Sequence, residues 1–343
     1  MKNEDVVIVG GGPAGAYCAF ELAKKGIYAT ILDPSHPREK ACGGGILPAV
    51  ISKFPFVEKF SSQGFTFSDF RIISCTNTQV FSKNLENGFC IRRRFFDESI
   101  VNLAIEEGAE LVKERVIDVK QKGSNWIIKT NRGFRSTHIL VGADGVNSIV
   151  RRRTVGPISN MNLSLGFGYI ATSGLKEQAT IKFLSEIPSY IWLFPGREYF
   201  NIGVGAELKY GSMLKGLLND FIRSYCPHIQ ITSSFAALLP SAKNPKFFSI
   251  SCNGENWILV GDAAGHVNPV SGGGILYALW GAKLAAEAIW KNDLKSYDRK
   301  WRDEYGKDLI KICKQKEDFY DPVKSTLSMI AGLANKTYYL PKI

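Results

Sequence analysis

The chemistry-bearing residues of this chain begin at Gly10-Gly11-Gly12-Pro13-Ala14-Gly15, a G-x-G-x-x-G run between an apolar stretch and a helix-favouring one. Glycines at that spacing allow a tight turn and let a pyrophosphate approach the N-terminus of the next helix, where unpaired N–H groups favour an anion. Asp33, eighteen residues past Gly15 at the end of a second apolar run, can accept a hydrogen bond from a ribose hydroxyl. Together they predict a dinucleotide site without saying which dinucleotide. A second segment, Gly261-Asp262-Ala263-Ala264-Gly265, follows the apolar run 257–260, and Gly272-Gly273-Gly274-Ile275 then opens a helix. An aspartate at a strand end can bond a polyol. A glycine-rich helix start offers N–H groups to an electron-rich ring edge, which suits a reduced flavin.

Other residues leave more than one reading open. Cys42, with Lys40 as a neighbouring cation, is either a thiol that donates a proton or forms an adduct at a flavin, or a buried inert side chain. Tyr190, Trp192 and Phe194 alternate, so all three face one side of a strand. They are sheet core or cavity wall. Arg93 lies in the basic run 92–94 at a helix start, as a solvated cation or a phosphate ligand. The histidines (36, 138, 228 and 266) lack metal-ligand spacing, and no G-x-S-x-G is present, so metal catalysis and serine hydrolysis are not expected. No second G-x-G-x-x-G marks a nicotinamide site, which leaves the electron donor open among NADPH, NADH and ferredoxin.

The elements that must position these groups follow from periodicity. Residues 6–9 read as a buried strand, 13–25 as a helix and 28–32 as a second strand, a βαβ unit. Alternation over 65–94 is strand-like with an Asn87-Gly88 hairpin signal, and 95–107 is helical. A three-strand meander (116–119, 126–130, 134–136) precedes an apolar strand at 138–141. Alternating residues over 163–206 predict an antiparallel sheet. A buried strand at 258–260, a long helix at 275–290 and a last helix at about 294–316 complete the chain. That last helix carries an aromatic stripe (Tyr297, Trp301, Tyr305, Leu309, Ile312) flanked by Lys295, Arg299, Lys300, Lys307 and Lys311. It is a candidate membrane contact, or a stripe packed on the nucleotide-binding domain.

At 343 residues the chain has room for about two domains of ordinary size. Forty-three basic against 32 acidic residues give a net charge of +11, compatible with phosphorylated ligands, an anionic membrane or a solvated surface. The basic runs 92–94 and 151–153 lie in no nucleic-acid-binding pattern, and nucleic acid is not an expected partner. Seven cysteines without a Cys-x-x-Cys pair, and a start that lacks a secretory pattern, predict a cytoplasmic chain.

Over about residues 4–320 the chain resembles the geranylgeranyl reductase family of FAD-dependent oxidoreductases, within the para-hydroxybenzoate hydroxylase fold group. The resemblance rests on the two glycine-rich segments above and on Pro37-Arg38-Glu39-Lys40-Ala41-Cys42-Gly43-Gly44-Gly45. It also rests on Arg93-x-x-Phe96-Asp97, on Gly142-Ala143-Asp144-Gly145 with Ser148 and Arg151, on Pro188-x-Tyr190-x-Trp192-x-Phe194-Pro195, and on Asn201-Ile202-Gly203-Val204-Gly205. It implies an α/β fold: a discontinuous Rossmann-like FAD-binding domain (1–60, 88–155 and 245–320), an inserted antiparallel β-sheet substrate domain (61–87 and 156–244) and a tail at 321–343.

The resemblance further implies that Gly10, Gly12, Pro13, Ala14 and Gly15 hold the FAD pyrophosphate, Asp33 the adenosine ribose, and Asp262, beside Gly261, the ribityl chain. Arg93 approaches the phosphates or ribityl. Gly43, Gly44 and Gly45 and Gly272, Gly273, Gly274 and Ile275 flank the flavin ring. Arg38, Lys40, Val116, Asp144 and Gly145 complete the expected cofactor set. The catalytic candidates are Cys42, Tyr190 and Trp192, with Cys42, Tyr190 or an ordered water as proton donor. The implied reaction is reduction of C=C bonds in a prenyl chain by hydride from reduced flavin, at a cytoplasmic site with peripheral contact to anionic membrane. The alternatives are a flavin-dependent aromatic hydroxylase or halogenase, and an FAD-containing prenyl-lipid binding protein without turnover.

Overall fold

The structure is a computed structural model that describes residues 2–67, 69–77, 79–82, 88–173, 178–321 and 324. Backbone contacts divide it into two units. The first is Met1–Arg38, Arg94–Asn162 and Pro240–Cys313; the second is Glu39–Arg93, Leu163–Leu239 and Lys314–Ile343.

The first unit is built on a seven-stranded sheet. Its parallel part runs Glu110–Val112, Ala29–Leu32, Lys2–Val9, Gly133–Gly142, with Trp257–Leu259 parallel to the last. Asn125–Thr130 and Val116–Lys122 continue it antiparallel. Val6, Val7, Ile8 and Val9 are all buried, as expected of a strand covered on both faces. The Pro13–Ala23 and Ile275–Trp290 helices pack together, which explains why both are rich in small and apolar residues.

Two expectations are corrected here. The third meander strand and the apolar strand are one ten-residue strand, Gly133–Gly142. Residues 133–137 of it pair with the meander and 135–142 with the N-terminal strand, so its pattern changes from polar to apolar midway without a break. The expected long last helix is interrupted: Ser296–Trp301 is α-helical, Arg302–Gly306 is π-helical and Lys307–Lys314 is α-helical again. Its stripe is buried, with Tyr297, Trp301 and Leu309 at 0% exposure, so these side chains are core and not a membrane face.

The second unit carries another seven-stranded sheet, in the order Gln230–Pro240, Leu163–Thr172, Phe200–Glu207, Tyr190–Pro195, Ala179–Phe183, Phe70–Ile73, Gln79–Ser82. The pairings of the Leu163–Glu207 region are antiparallel as expected, and Ala179–Phe183 adds a parallel pairing to Phe70–Ile73. One face packs the Leu214–Tyr225 helix: Leu214, Leu218, Phe221 and Ile222 meet Ile191, Leu193, Ile202 and Val204. A small antiparallel sheet joins Gly45–Ile46, Gly88–Cys90 and Phe65–Phe67.

That small sheet moves the boundaries. Residues 39–60 and 88–93, expected from the sequence in the first unit, group with the second, where Gly45–Ile46 pairs with Gly88–Cys90 and Gly88–Cys90 with Phe65–Phe67. Asn87 of the expected hairpin lies outside the described residues, and the strands on either side pair elsewhere. Of the tail, only residues 321 and 324 are described.

Candidate cofactor and substrate sites

In the first unit, the strand Lys2–Val9 ends at Gly10, whose φ of +102° suits glycine alone; a Cβ there would lie 2.4 Å from the Ala143 carbonyl oxygen. At Gly15 a Cβ would lie 1.9 Å from the Gly10 carbonyl oxygen, so turn and helix approach more closely than any side chain allows. The helix that follows has Gly12 as N-cap, no side-chain cap and Pro13 in its first turn. At Gly12 the nearest group to a built Cβ is the Arg38 guanidinium at 3.8 Å. An uncapped eleven-residue helix, an open glycine edge and a cation beside it are the donor set a pyrophosphate requires.

Asp33 ends the second strand, almost fully buried. Its Oδ2 accepts the Gly11 N–H at 2.9 Å, and its Oδ1 accepts the Ser35 N–H at 2.9 Å and the Ser35 hydroxyl at 2.7 Å. Burial works against the charge, but these bonds and Arg38, 3.8 Å away, outweigh it and hold the carboxyl below its usual range. The carboxylate keeps acceptor capacity for a ribose hydroxyl. Arg38 also reaches the fully buried Asp97 at 3.8 Å.

The glycine-rich segments converge in this unit. Gly261, at φ +58°, places its built Cβ 3.0 Å from the Ala14 Cβ, and Asp262 Oδ1 lies 3.1 Å from the built Cβ of Gly274. Asp262 is thus brought beside the Gly272–Gly274 turn that precedes Ile275. Arg151, buried, donates through Nη1 to the carbonyls of Ala263 and Ala264 at 3.1 and 3.3 Å, tying its own segment to the Gly-Asp segment. Asp144 is occupied as a cap: its carboxylate accepts from the Ser148 hydroxyl and from the Ile149 N–H at 2.6 Å. Burial nevertheless pushes its carboxyl up. Val116 is buried at the start of its strand, paired with Thr130.

The second unit holds Cys42, Gly43–Gly45, Lys40, Arg93 and the aromatic strand. Ile191 and Leu193 point into the core, so Tyr190, Trp192 and Phe194 lie on the opposite face, each half-buried. Built Cβ atoms at Gly43 and Gly45 would lie 3.1 Å from Trp192 Nε1 and from a Phe194 ring carbon respectively, so that aromatic face abuts the glycine turn. The Trp192 indole donates to Asn201 Oδ1 at 2.8 Å, and Asn201 Nδ2 donates to the Cys42 carbonyl at 2.7 Å. Cys42 is part-exposed, and its sulfur accepts the Gly44 N–H at 3.5 Å. Burial pushes the Tyr190 phenol well up, with Cys42 a second cause, so it stays protonated and can donate. Arg93 is buried, and its N–H donates to Glu39 Oε1 at 3.1 Å.

Three further residues, given no site role from the sequence, take defined positions in the structure. Asn201 opens the Asn201–Gly205 motif that carries the resemblance. His36 packs on Gly11, with Nε2 against the Gly11 carbonyl oxygen. His266 is buried, Nδ1 at 2.9 Å from the Tyr305 hydroxyl and its ring against Trp301, and burial lowers it to about 3.

A nucleotide-binding unit with these two convergent glycine segments, interrupted by a largely antiparallel sheet, defines an FAD-dependent oxidoreductase of the para-hydroxybenzoate hydroxylase-like fold. A family described as "FAD binding domain" matches residues 3–47. An uncharacterized protein of Methanosarcina barkeri is 30% identical over 320 residues, covering 87% of this chain and 78% of that protein. Digeranylgeranylglycerophospholipid reductase 3 of Methanosphaera stadtmanae is 29% identical, covering 85% of this chain and 80% of that protein. The crystal structure of a geranylgeranyl bacteriochlorophyll reductase-like protein from Thermoplasma acidophilum matches the fold with a TM-score of 0.83 at 22% identity, covering 95% of this chain and 90% of that one. The chain belongs to the geranylgeranyl reductase-like family of FAD-dependent oxidoreductases.

Proposed function

We propose that this protein reduces C=C bonds in the prenyl chain of a lipid. The observation that carries the reading is the aromatic face of Tyr190, Trp192 and Phe194, on the side of the sheet opposite the Leu214–Tyr225 helix, with Trp192 and Phe194 set against the Gly43–Gly45 turn and Phe194 and Tyr190 continued by Phe67 and Phe183. Such a face suits an apolar, featureless chain. The curated relatives named for digeranylgeranylglycerophospholipid reduction support the same substrate class.

Bound FAD, once reduced by a nicotinamide or ferredoxin, would supply the hydride for one alkene carbon. The residues of the chain do the rest. A trisubstituted alkene is unactivated, so it has to be held in place where water is excluded, with an acid in reach of the other carbon. Tyr190 and Cys42 are the candidate acids: burial keeps the phenol protonated, and the thiol is part-exposed on a loop fixed by Asn201. The first unit holds the cofactor through Gly10–Gly15, Asp33, Arg38 and Asp262. We also propose peripheral contact with anionic membrane, where such a lipid resides; no helix among the described residues is long and apolar enough to cross one.

The test is anaerobic. The purified protein is reduced with dithionite, and flavin absorbance is followed on adding geranylgeranyl glycerolipids, geranylgeranyl phosphate or menaquinone. Flavin reoxidation by a prenyl lipid, with a product heavier by two hydrogens, is the expected result. If no prenyl lipid reoxidises the flavin anaerobically, and admitting oxygen together with a phenol reoxidises it and hydroxylates the phenol, a hydroxylase replaces the proposal. Binding of prenyl lipid without reoxidation would leave a carrier.

A further inference from the structure

We propose that His36 is a binding residue for the adenosine half of FAD, accepting a hydrogen bond through Nδ1 from a donor on the ribose or the adenine. The side chain is 2% exposed. It lies on the glycine turn itself: a Cβ at Gly11 would fall 2.7 Å from its Cδ2. Its Nε2 meets the Gly11 carbonyl oxygen, and Asp33 Oδ2 is 4.0 Å from the same nitrogen. The ring therefore sits between the turn expected to hold the pyrophosphate and the carboxylate expected to hold the ribose.

The tautomer follows from that contact. A carbonyl oxygen only accepts, so Nε2 must carry the proton, and in the neutral ring Nδ1 is then a bare acceptor. That Nδ1 is buried and has no hydrogen-bond partner among the described residues. A buried acceptor without a partner is uncommon, because it forfeits its hydration for nothing. What completes it must be a donor. The pyrophosphate offers only acceptors, whereas the ribose hydroxyls and the adenine amine both donate. The unmet valence thus points to the adenosine, while the Arg38 guanidinium near Gly12 suits the phosphates.

Full-length protein freed of FAD, and shown to rebind it, is titrated with ADP, 2′-deoxy-ADP, 3′-deoxy-ADP and inosine diphosphate, which lacks the amine. The same series is run on His36→Phe. Wild type is expected to bind one analogue about tenfold more weakly than ADP, the size of one buried hydrogen bond. His36→Phe should bind ADP more weakly by a similar factor and no longer distinguish that analogue. Coupling to a deoxy analogue identifies the ribose, and coupling to inosine diphosphate the adenine. Uniform weakening of all four ligands, or no weakening, overturns the proposal. Should His36→Phe not fold, the Nδ1 nitrogen resonance of wild type gives the answer: it must move on adding ADP, and an unmoved resonance overturns the proposal equally.

Discussion

Asn201 Nδ2 donates to the Cys42 carbonyl oxygen at 2.7 Å, joining residues 159 positions apart. The Trp192 indole can only donate, so its bond to Asn201 Oδ1 fixes which way the amide faces. One buried side chain thereby locks the thiol loop to the aromatic strand. Asn201→Ala should cost about 1–3 kcal/mol, because the indole N–H is left without its acceptor. Thermal denaturation of the two proteins measures this. A melting temperature unchanged by the substitution would remove Asn201 as the tie.

Cys42→Ala should keep FAD and slow alkene reduction. The proposed cofactor ligands Asp33, Asp262 and the Gly10–Gly15 turn belong to the first unit, and Cys42 to the second. Single-turnover reoxidation of the reduced protein by a prenyl lipid is the measurement. An unchanged rate assigns Cys42 to structure and leaves Tyr190 or an ordered water as the acid.

The purified protein should be yellow, with one FAD released intact on denaturation, and Asp262→Ala should weaken FAD binding. A charge-assisted hydrogen bond to the polyol is worth about 1.5–3 kcal/mol, or roughly tenfold to a hundredfold in Kd. Fluorescence titration of the apoprotein reads it directly. Equal affinity in the variant removes Asp262 from the site.

The sequence made legible whatever local spacing encodes. The Pro13 helix start, the Ile275–Trp290 helix and the alternating strands of 163–206 were within a residue or two of their observed bounds. What escaped depends on partners far along the chain. The same heptad-like stripe from Tyr297 to Ile312 fits a membrane face or a core; only the packing of Trp301 against His266 decides. No spacing rule links Asn201 to Cys42. His36 lacks metal-ligand spacing in the sequence, and its relation to Gly11 exists only once the βαβ unit is folded.

His266 gives a pH dependence with a defined sign. Burial lowers it from its usual 6.5 to about 3, so the folded protein keeps the ring neutral where the unfolded chain protonates it. Its stability contribution is present above about pH 6.5 and is lost as the pH falls toward 3, by up to about 1.4 kcal/mol per pH unit. Denaturant unfolding at several pH values should show this slope, and His266→Gln should flatten it. Parallel slopes in the two proteins would point to other groups.

Membrane contact, if electrostatic, makes its own prediction. Tyr297, Trp301 and Tyr305 are buried, so that stripe has no apolar face to insert, while Lys295, Arg299, Lys307 and Lys311 on the same segment are exposed. A net charge of +11 attracts anionic headgroups by about 1 kcal/mol per basic residue near the surface, and the attraction is screened by salt. The protein is therefore expected to co-sediment with acidic liposomes at low salt and to be released at high salt. Lys307→Glu with Lys311→Glu should weaken binding with only a small change in melting temperature, because the Lys307–Asp303 pair that it breaks is exposed. Trp301→Ala should do the reverse: it empties a fully buried site, at about 3–5 kcal/mol, and leaves the basic surface intact. Salt-resistant binding that depends on Trp301 would mean insertion of the aromatic stripe. No binding to acidic liposomes at low salt would end the peripheral-membrane reading and direct the substrate search to soluble prenyl phosphates.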